Sequence, residues 1–175
     1  MTATPPRLRP VTEAEAPQLA QLAHDAFVAA FAAQNTEADL AAYVQKAFAP
    51  EQVRAELAHP ANQFFWLEVG PELAGYCKLN FHEQPKGMPN AHLMKISRFY
   101  LLPSFVGRPG LAQFMLDQAL DVGRRAHRVG AWLSVWQENP RAIRFYEKNG
   151  FATFGTTQFV MGQSVQQDFM MVRLF

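Results

Sequence analysis

Cysteine is almost missing from this 175-residue chain: Cys77 stands alone, so neither an internal disulfide framework nor a multi-cysteine metal site can form. It sits in "LAGYCKLNF", an alternating strand-like run, which predicts a buried and inert thiol. Excess charge of one sign is missing too. Lys+Arg 16 against Asp+Glu 15 leaves +1, so no global field marks a nucleic-acid or membrane-surface protein, and electrostatic recognition has to be local. No segment approaches the roughly 18 continuous apolar residues of a membrane span, and "MTATPPRLRP" carries no apolar stretch of leader length; a soluble cytoplasmic protein is expected. His24, His59, His82, His92 and His127 are scattered without an H-x-x-x-H pair, so no metal is expected. The triphosphate-loop lysine and G-x-G-x-x-G after the first strand are likewise absent.

What is present is a core. At 49% hydrophobic, 175 residues suffice for one domain, read here as residues 1–175. "RLRPV" can start a sheet. Thr12 and Glu15 have capping-box spacing ahead of Leu19, Leu22, Ala23, Ala26 and Phe27, which recur at helical intervals. Thr36 and Pro50 open two further short helices. "NQFFWLEV" and "ELAGYCKLNF" around "GPE" read as a hairpin, "FHEQPKGMPNAH" as a loop, and "LMKISRFYLL" as a strand. A long helix from Gly110 to Arg128 comes next, with Arg124, Arg125, His127 and Arg128 suiting its C-terminal dipole rather than nucleic acid. "AWLSVW", "NPRAIRFYEKNG" and two last strands complete an α/β order in which hairpins and crossovers mix, so the sheet is not all parallel.

The strand "SRFYLLP" runs into a turn crowded with Gly107, Pro109 and Gly110 before a helix. Such a turn exposes backbone N–H groups at a positive helix end, which suits a pyrophosphate; it is also simply a tight turn. "RFYLLP…GRPGLA" followed by "WLSVWQENPRAIRFYEKNGF" strongly resembles the GNAT superfamily of acetyl-CoA-dependent N-acetyltransferases over nearly the whole chain. "FVMGQSVQQDFMMVRLF", "DLAAYVQKAF" and "GYCKLNF" further resemble the PaiA-like spermidine/spermine acetyltransferase branch.

The resemblance implies a mixed, mostly antiparallel twisted sheet of about seven strands flanked by helices. It implies acetyl-CoA as cosubstrate, held by Gly107, Arg108, Pro109, Gly110, Leu111 and Ala112 in place of Q/R-x-x-G-x-G/A. Gly107 departs from that pattern, since glutamine or arginine is usual there; a register starting at Val106 is the alternative. The backbone of Phe99 and Leu101 would hydrogen-bond the pantetheine arm as an added strand. Asn139 would contact the same arm and has a full explanation as a helix N-cap as well. Tyr146 would be the general acid for the departing thiolate and a contact to the cofactor.

An amine of pKa about 10.4 costs roughly 4.6 kcal/mol to deprotonate at pH 7, whereas a thiol of pKa about 8.5 needs only about 2 kcal/mol to leave unprotonated. The base is therefore the larger problem. Many relatives carry a glutamate two residues before the position of Phe99; here that residue is Ser97, between Ile96 and Arg98, with Lys95 close by, and none of these is a convincing base. Water, Glu138 or Glu83 are the alternatives. A polyamine acceptor would need acidic residues, for which Asp25, Glu37, Asp39 and Glu83 are candidates beside their plain reading as solvated charges. Acetylation of a protein or peptide amine, and a non-catalytic acyl-CoA sensor, stand as alternatives to a small amine. No nucleic acid or membrane partner is expected, and the apolar last strand ending at Phe175 is a candidate homodimer element.

Overall fold

The computed structural model describes residues 4–175; the first three residues of the opening "MTATPPRLRP", in which no leader is expected, lie outside them. Strand β1 (Pro6–Pro10) precedes helices α1 (Ala16–Phe31), α2 (Glu37–Ala47) and α3 (Pro50–Ala58). Strands β2 (Asn62–Val69), β3 (Glu72–Asn80) and β4 (Met94–Leu101) lead to α4 (Leu111–Arg125), β5 (Gly130–Trp136), α5 (Pro140–Lys148), β6 (Ala152–Met161) and β7 (Ser164–Leu174). The seven strands form one sheet in the order β1-β2-β3-β4-β5-β7-β6, in which β4–β5 is the parallel pair and the others are antiparallel.

Strand alternation deals side chains to two cores. Phe64, Trp66 and Tyr76 face α1, α2 and α3, where they meet Leu19, Ala23, Phe27, Leu40, Val44 and Val53. Their neighbours Phe65, Leu67 and Cys77 face the other way, toward Met115, Leu116, Ala119 and Leu120 of α4. Cys77 is fully buried and burial pushes its thiol up to about 12, in keeping with an inert residue.

Local chemistry sets several element ends. The Glu15 carboxylate accepts the Thr12 N–H at 2.8 Å, as the spacing predicted, although the turn it closes is a short 3₁₀ segment before α1. The same carboxylate pairs with Arg9 and accepts the Trp66 indole N–H at 3.2 Å, tying the start of α1 to the sheet. Thr36 caps α2 through the Asp39 N–H. Helix α4 stops at Arg125 rather than Arg128, because His127 takes a left-handed turn (φ 54°). Strand β7 is paired on both sides, with β5 and β6, so Phe175 does not end an open sheet edge; its ring packs at α4, under the Arg124 guanidinium.

Two long-range polar contacts brace the sheet from its helical side. The β6–β7 hairpin turns through Gly162 (φ 58°) and Gln163, and Asp39 accepts the Gln163 N–H at 2.7 Å, so the hairpin tip is clipped to α2. Glu56 of α3 accepts two bonds from Arg98 of β4 (2.8 and 3.2 Å) and pairs with Lys78 of β3 at 3.2 Å, all three largely buried. Burial alone would raise the Glu56 pKa, but Arg98 and Lys78 together hold it below the usual range.

Removing that carboxylate would leave two buried cations without a counter-charge. Glu56→Gln is expected to cost about 3 kcal/mol of stability, read as a lower urea midpoint. A carboxylate depressed in the folded state stabilises above its unfolded pKa of about 4.3 and stops doing so as pH falls further. Wild type should therefore lose more stability than Glu56→Gln between about pH 5 and pH 3; parallel losses would rule out the ion cluster as the source of that dependence.

Candidate active site

Strands β4 and β5 pair only at Met94↔Ala131 and Lys95↔Trp132, and then part. Immediately after the parting, β4 carries a bulge: Lys78 faces Arg98 and Leu79 faces Ile96, so Ser97 is the extra residue. From there the β5-facing backbone edge of β4 has no strand partner, while Phe99 and Leu101 keep their pairing with Cys77 and Gly75 on the other side. The wedge between the strands holds two adjoining hollows. A central cavity is lined by Ser97 to Tyr100, by Leu133 to Trp136, and by rings of Phe27, Phe31, Tyr43, Phe48 and Phe159. A groove on its flank is lined by Phe99, Leu101, Pro103, Val106, Ala112, Arg141 and Phe145. Asn139, Ala142, Phe99 and Tyr146 line both.

Helix α5 and its cap place three of these shared residues, Asn139, Ala142 and Tyr146. Asn139 starts it by accepting the Ala142 N–H at 3.1 Å, with Pro140 next, where a missing N–H costs nothing. One and two turns on, Ile143 and Tyr146 fall on the sheet-facing side. Tyr146 is buried among the rings of Phe99, Phe145 and Phe151, at centroid distances of 6.2, 5.3 and 5.6 Å. Burial raises its pKa well above the ordinary phenol value, with the nearby Cys77 adding to the effect. It therefore holds its proton throughout the neutral range.

The glycine turn lies beside the flank groove. Gly107 and Gly110 both have positive φ, 85° and 80°, and form the turn with Arg108 and Pro109 between two groove-lining residues, Val106 and Ala112. Neither glycine N–H has a backbone acceptor among the described residues, and α4 begins at Leu111, so the turn offers free donors at a helix start. Leu111 turns its side chain into the core. The Arg108 guanidinium folds back over the Phe105 ring at 4.0 Å, its Nε donating to the Ser104 carbonyl. Arg141, which no sequence pattern singled out, lines the groove with its guanidinium 3.8 Å from where a Cβ on Gly107 would lie.

On the acidic side, Asp25 bonds Gln21 and His24, Asp39 is taken up by the hairpin clip, and Glu37 is exposed. Glu138 does not line the central cavity; Glu83 pairs with Lys95 in a side hollow. The carboxylate on the cavity wall is Asp168 of β7, opposite Trp136 in the strand register and the least exposed charged residue among those described. Its signal in the sequence was an acid at the head of an apolar run, "DFMMV", on a strand whose neighbours the sequence does not disclose.

The model of the acetyltransferase (GNAT) family matches residues 18–151. The chain belongs to the GNAT family of acetyltransferases. An uncharacterized N-acetyltransferase from the pepI 3′ region of Lactobacillus delbrueckii subsp. lactis is 30% identical over 161 residues, 92% of each chain. An uncharacterized N-acetyltransferase of Mycobacterium tuberculosis is 38% identical over 80 residues, 46% of this chain and 51% of that one. Among solved structures, the PaiA N-acetyltransferase of Thermoplasma acidophilum in complex with coenzyme A superposes with TM-score 0.79 at 18% identity, covering 98% and 100% of the two chains. The spermidine N-acetyltransferase of Vibrio cholerae in complex with CoA and spermine gives 0.70 at 18%, covering 97% and 95%. The seven-strand mixed sheet expected from the resemblance is the GNAT fold. This GNAT protein is accordingly an acetyl-CoA-dependent N-acetyltransferase.

All four tyrosines lie near this site or its outer wall, and burial raises the pKa of each. Ultraviolet titration of the native protein should show no phenolate step near the ordinary value of about 10. Phenolate should appear only with alkaline unfolding, since stability held below about pH 10 is lost as the unfolded chain ionises. A separate step before unfolding would mean that a tyrosine is more open to solvent than its packing implies.

Proposed function

We propose that this acetyltransferase moves the acetyl group to a small primary amine by direct attack of nitrogen on the thioester, with the cofactor in the flank groove and the acceptor in the central cavity. The observation that carries the reading is that Tyr146 lies on the shared wall of the two hollows, where a thioester sulfur and an attacking amine would meet. The unpaired edge of β4 at Phe99 and Leu101 gives the amide-rich pantetheine arm a strand to pair with. The turn from Gly107 to Ala112 supplies backbone N–H groups for the pyrophosphate, and Arg141 supplies a cation beside Gly107, where the family pattern has a polar side chain. Asn139 serves as cap and as a lining group for the arm.

Tyr146 has a pKa above that of the thiol it serves, so it steadies the sulfur by a hydrogen bond as charge develops more than it drives full proton transfer. An effect at the low end of general-acid contributions is the consequence. Nearly half of the residues that line the central cavity are aromatic, so an amine with an apolar or extended body fits them, its charge resting on ring faces. A polyamine belongs to that class, and the spermine complex of the Vibrio cholerae enzyme, which shares the fold, makes spermidine and spermine the first acceptors to try.

Free-thiol release from acetyl-CoA should be measured across polyamines, arylalkyl amines and peptides. Tyr146→Phe is expected to lower kcat about 10- to 100-fold with little change in acetyl-CoA affinity. Unaltered turnover would end its role as acid. Arg141→Ala should instead raise the KM for acetyl-CoA by about tenfold, one charge-assisted contact, and leave kcat alone. Absence of transfer to every acceptor would reject the small-amine reading.

A further inference from the structure

We propose that Asp168 is the catalytic carboxylate on the acceptor side: it pairs with the incoming ammonium and takes its proton before nitrogen attacks the thioester. The inference rests on the small-amine reading and adds the residue that β4 fails to supply, since Ser97 stands at the bulge where many relatives carry a glutamate.

Three observations converge on Asp168. It lines the same cavity as Tyr146, approached from β7, whereas Tyr146 comes from α5, so an acceptor between them has an acid and a base available from different elements. It is 7% exposed, and no ion pair among the described residues satisfies it: Lys95 pairs with Glu83 instead. The cation on the cavity wall, Arg98, is bonded twice by Glu56, so Asp168 is the carboxylate on that wall with no ion-pair partner among the described residues. The groups that face it are Ser134 of β5, Lys95 of β4 and Tyr43 of α2. Burial raises its pKa, with Ser134 and Lys95 opposing, and a raised carboxylate pKa makes a better proton acceptor.

Each proton in this scheme has a destination. The ammonium N–H bond breaks toward an Asp168 oxygen, which then hands that proton to solvent through the open side of the cavity. The freed lone pair forms the C–N bond as the thioester C=O opens. When the C–S bond breaks, nitrogen gives up a second proton, matched by the one that the sulfur takes up beside Tyr146. Acetyl-CoA and an ammonium thus yield an amide, free thiol and one released proton.

The test compares kcat/KM of wild type and Asp168→Asn, from pH 6 to pH 10, with two acceptors: an alkylamine protonated at neutral pH, and O-benzylhydroxylamine, a nitrogen nucleophile that is already neutral there. At pH 7 the variant should lose about 100-fold with the alkylamine and under 5-fold with the neutral nucleophile, and the alkylamine deficit should shrink as pH approaches about 10. Equal losses with both acceptors, or a deficit constant with pH, would overturn the assignment, because a merely structural role does not distinguish protonated from neutral nitrogen. Should Asp168→Asn not fold, Asp168→Glu carries the test: the displaced carboxylate should slow the alkylamine more than the neutral nucleophile, and equal slowing overturns the proposal. Wild type that acetylates amines while the variant matches it rejects Asp168 alone; wild type that acetylates no amine rejects the amine reading, and this inference with it.

Discussion

Two residue pairs hold β4 to β5, and the site depends on there being only two. A parallel pair that continued would satisfy the backbone groups of Phe99 and Leu101 and leave no room between strands. Because the pairing stops at Lys95, the sheet is cut open from its middle, with an unsatisfied strand edge on one side and the β5 face on the other. Such an edge inside a fold is costly unless something completes it. Both sides are held elsewhere: β4 by β3 along its length, β5 by seven register pairs with β7. The opening is therefore stable without being closed, which a cleft that must admit a long cofactor arm requires.

Keeping the wedge open also needs its walls fixed from outside. The Glu56 carboxylate gathers Arg98 and Lys78 from two neighbouring strands onto α3, and the Asp39 clip draws the β6–β7 hairpin against α2. These contacts bridge residues far apart in sequence, 42 positions for Glu56–Arg98 and 124 for Asp39–Gln163. They bring the Tyr43 and Phe159 rings together at the cavity wall, 5.2 Å between centroids, so the helical layer and the last hairpin close one end of it together.

How much of this could be read from the chain depends on the range of the interactions. Caps, turns and periodic faces act over a few residues, so the Glu15 and Thr36 caps, the hairpin at Gly70, the glycine turn before α4 and the buried thiol of Cys77 were all visible in the sequence. Asn139 was visible as the cap of α5, a local pattern, whereas its placing with Tyr146 at the site rested on the resemblance of the whole segment. The acidic residues were not, because a carboxylate looks the same in sequence whether it clips a hairpin, as Asp39 does, bonds its own helix, as Asp25 does, or faces a cavity. That distinction is made by the sheet order, in which β7 passes between β5 and β6, and no local pattern encodes it.

Asp168 and Arg98 show what the order accomplishes electrostatically. Both lie on the central cavity, and an unmatched Arg98 would repel any ammonium that approached. Glu56, brought in from α3 and shared with Lys78, offsets part of the Arg98 charge at close range in a largely buried setting, where the pairing is little screened. Asp168 has no such partner among the described residues. The cavity therefore presents one carboxylate without an ion-pair partner, set among aromatic faces that can also receive a cation. In the proposed reaction an ammonium that enters loses water and gains Asp168; the acetylated nitrogen is neutral and has lost that attraction, so the same arrangement that draws the acceptor in also lets the amide product go.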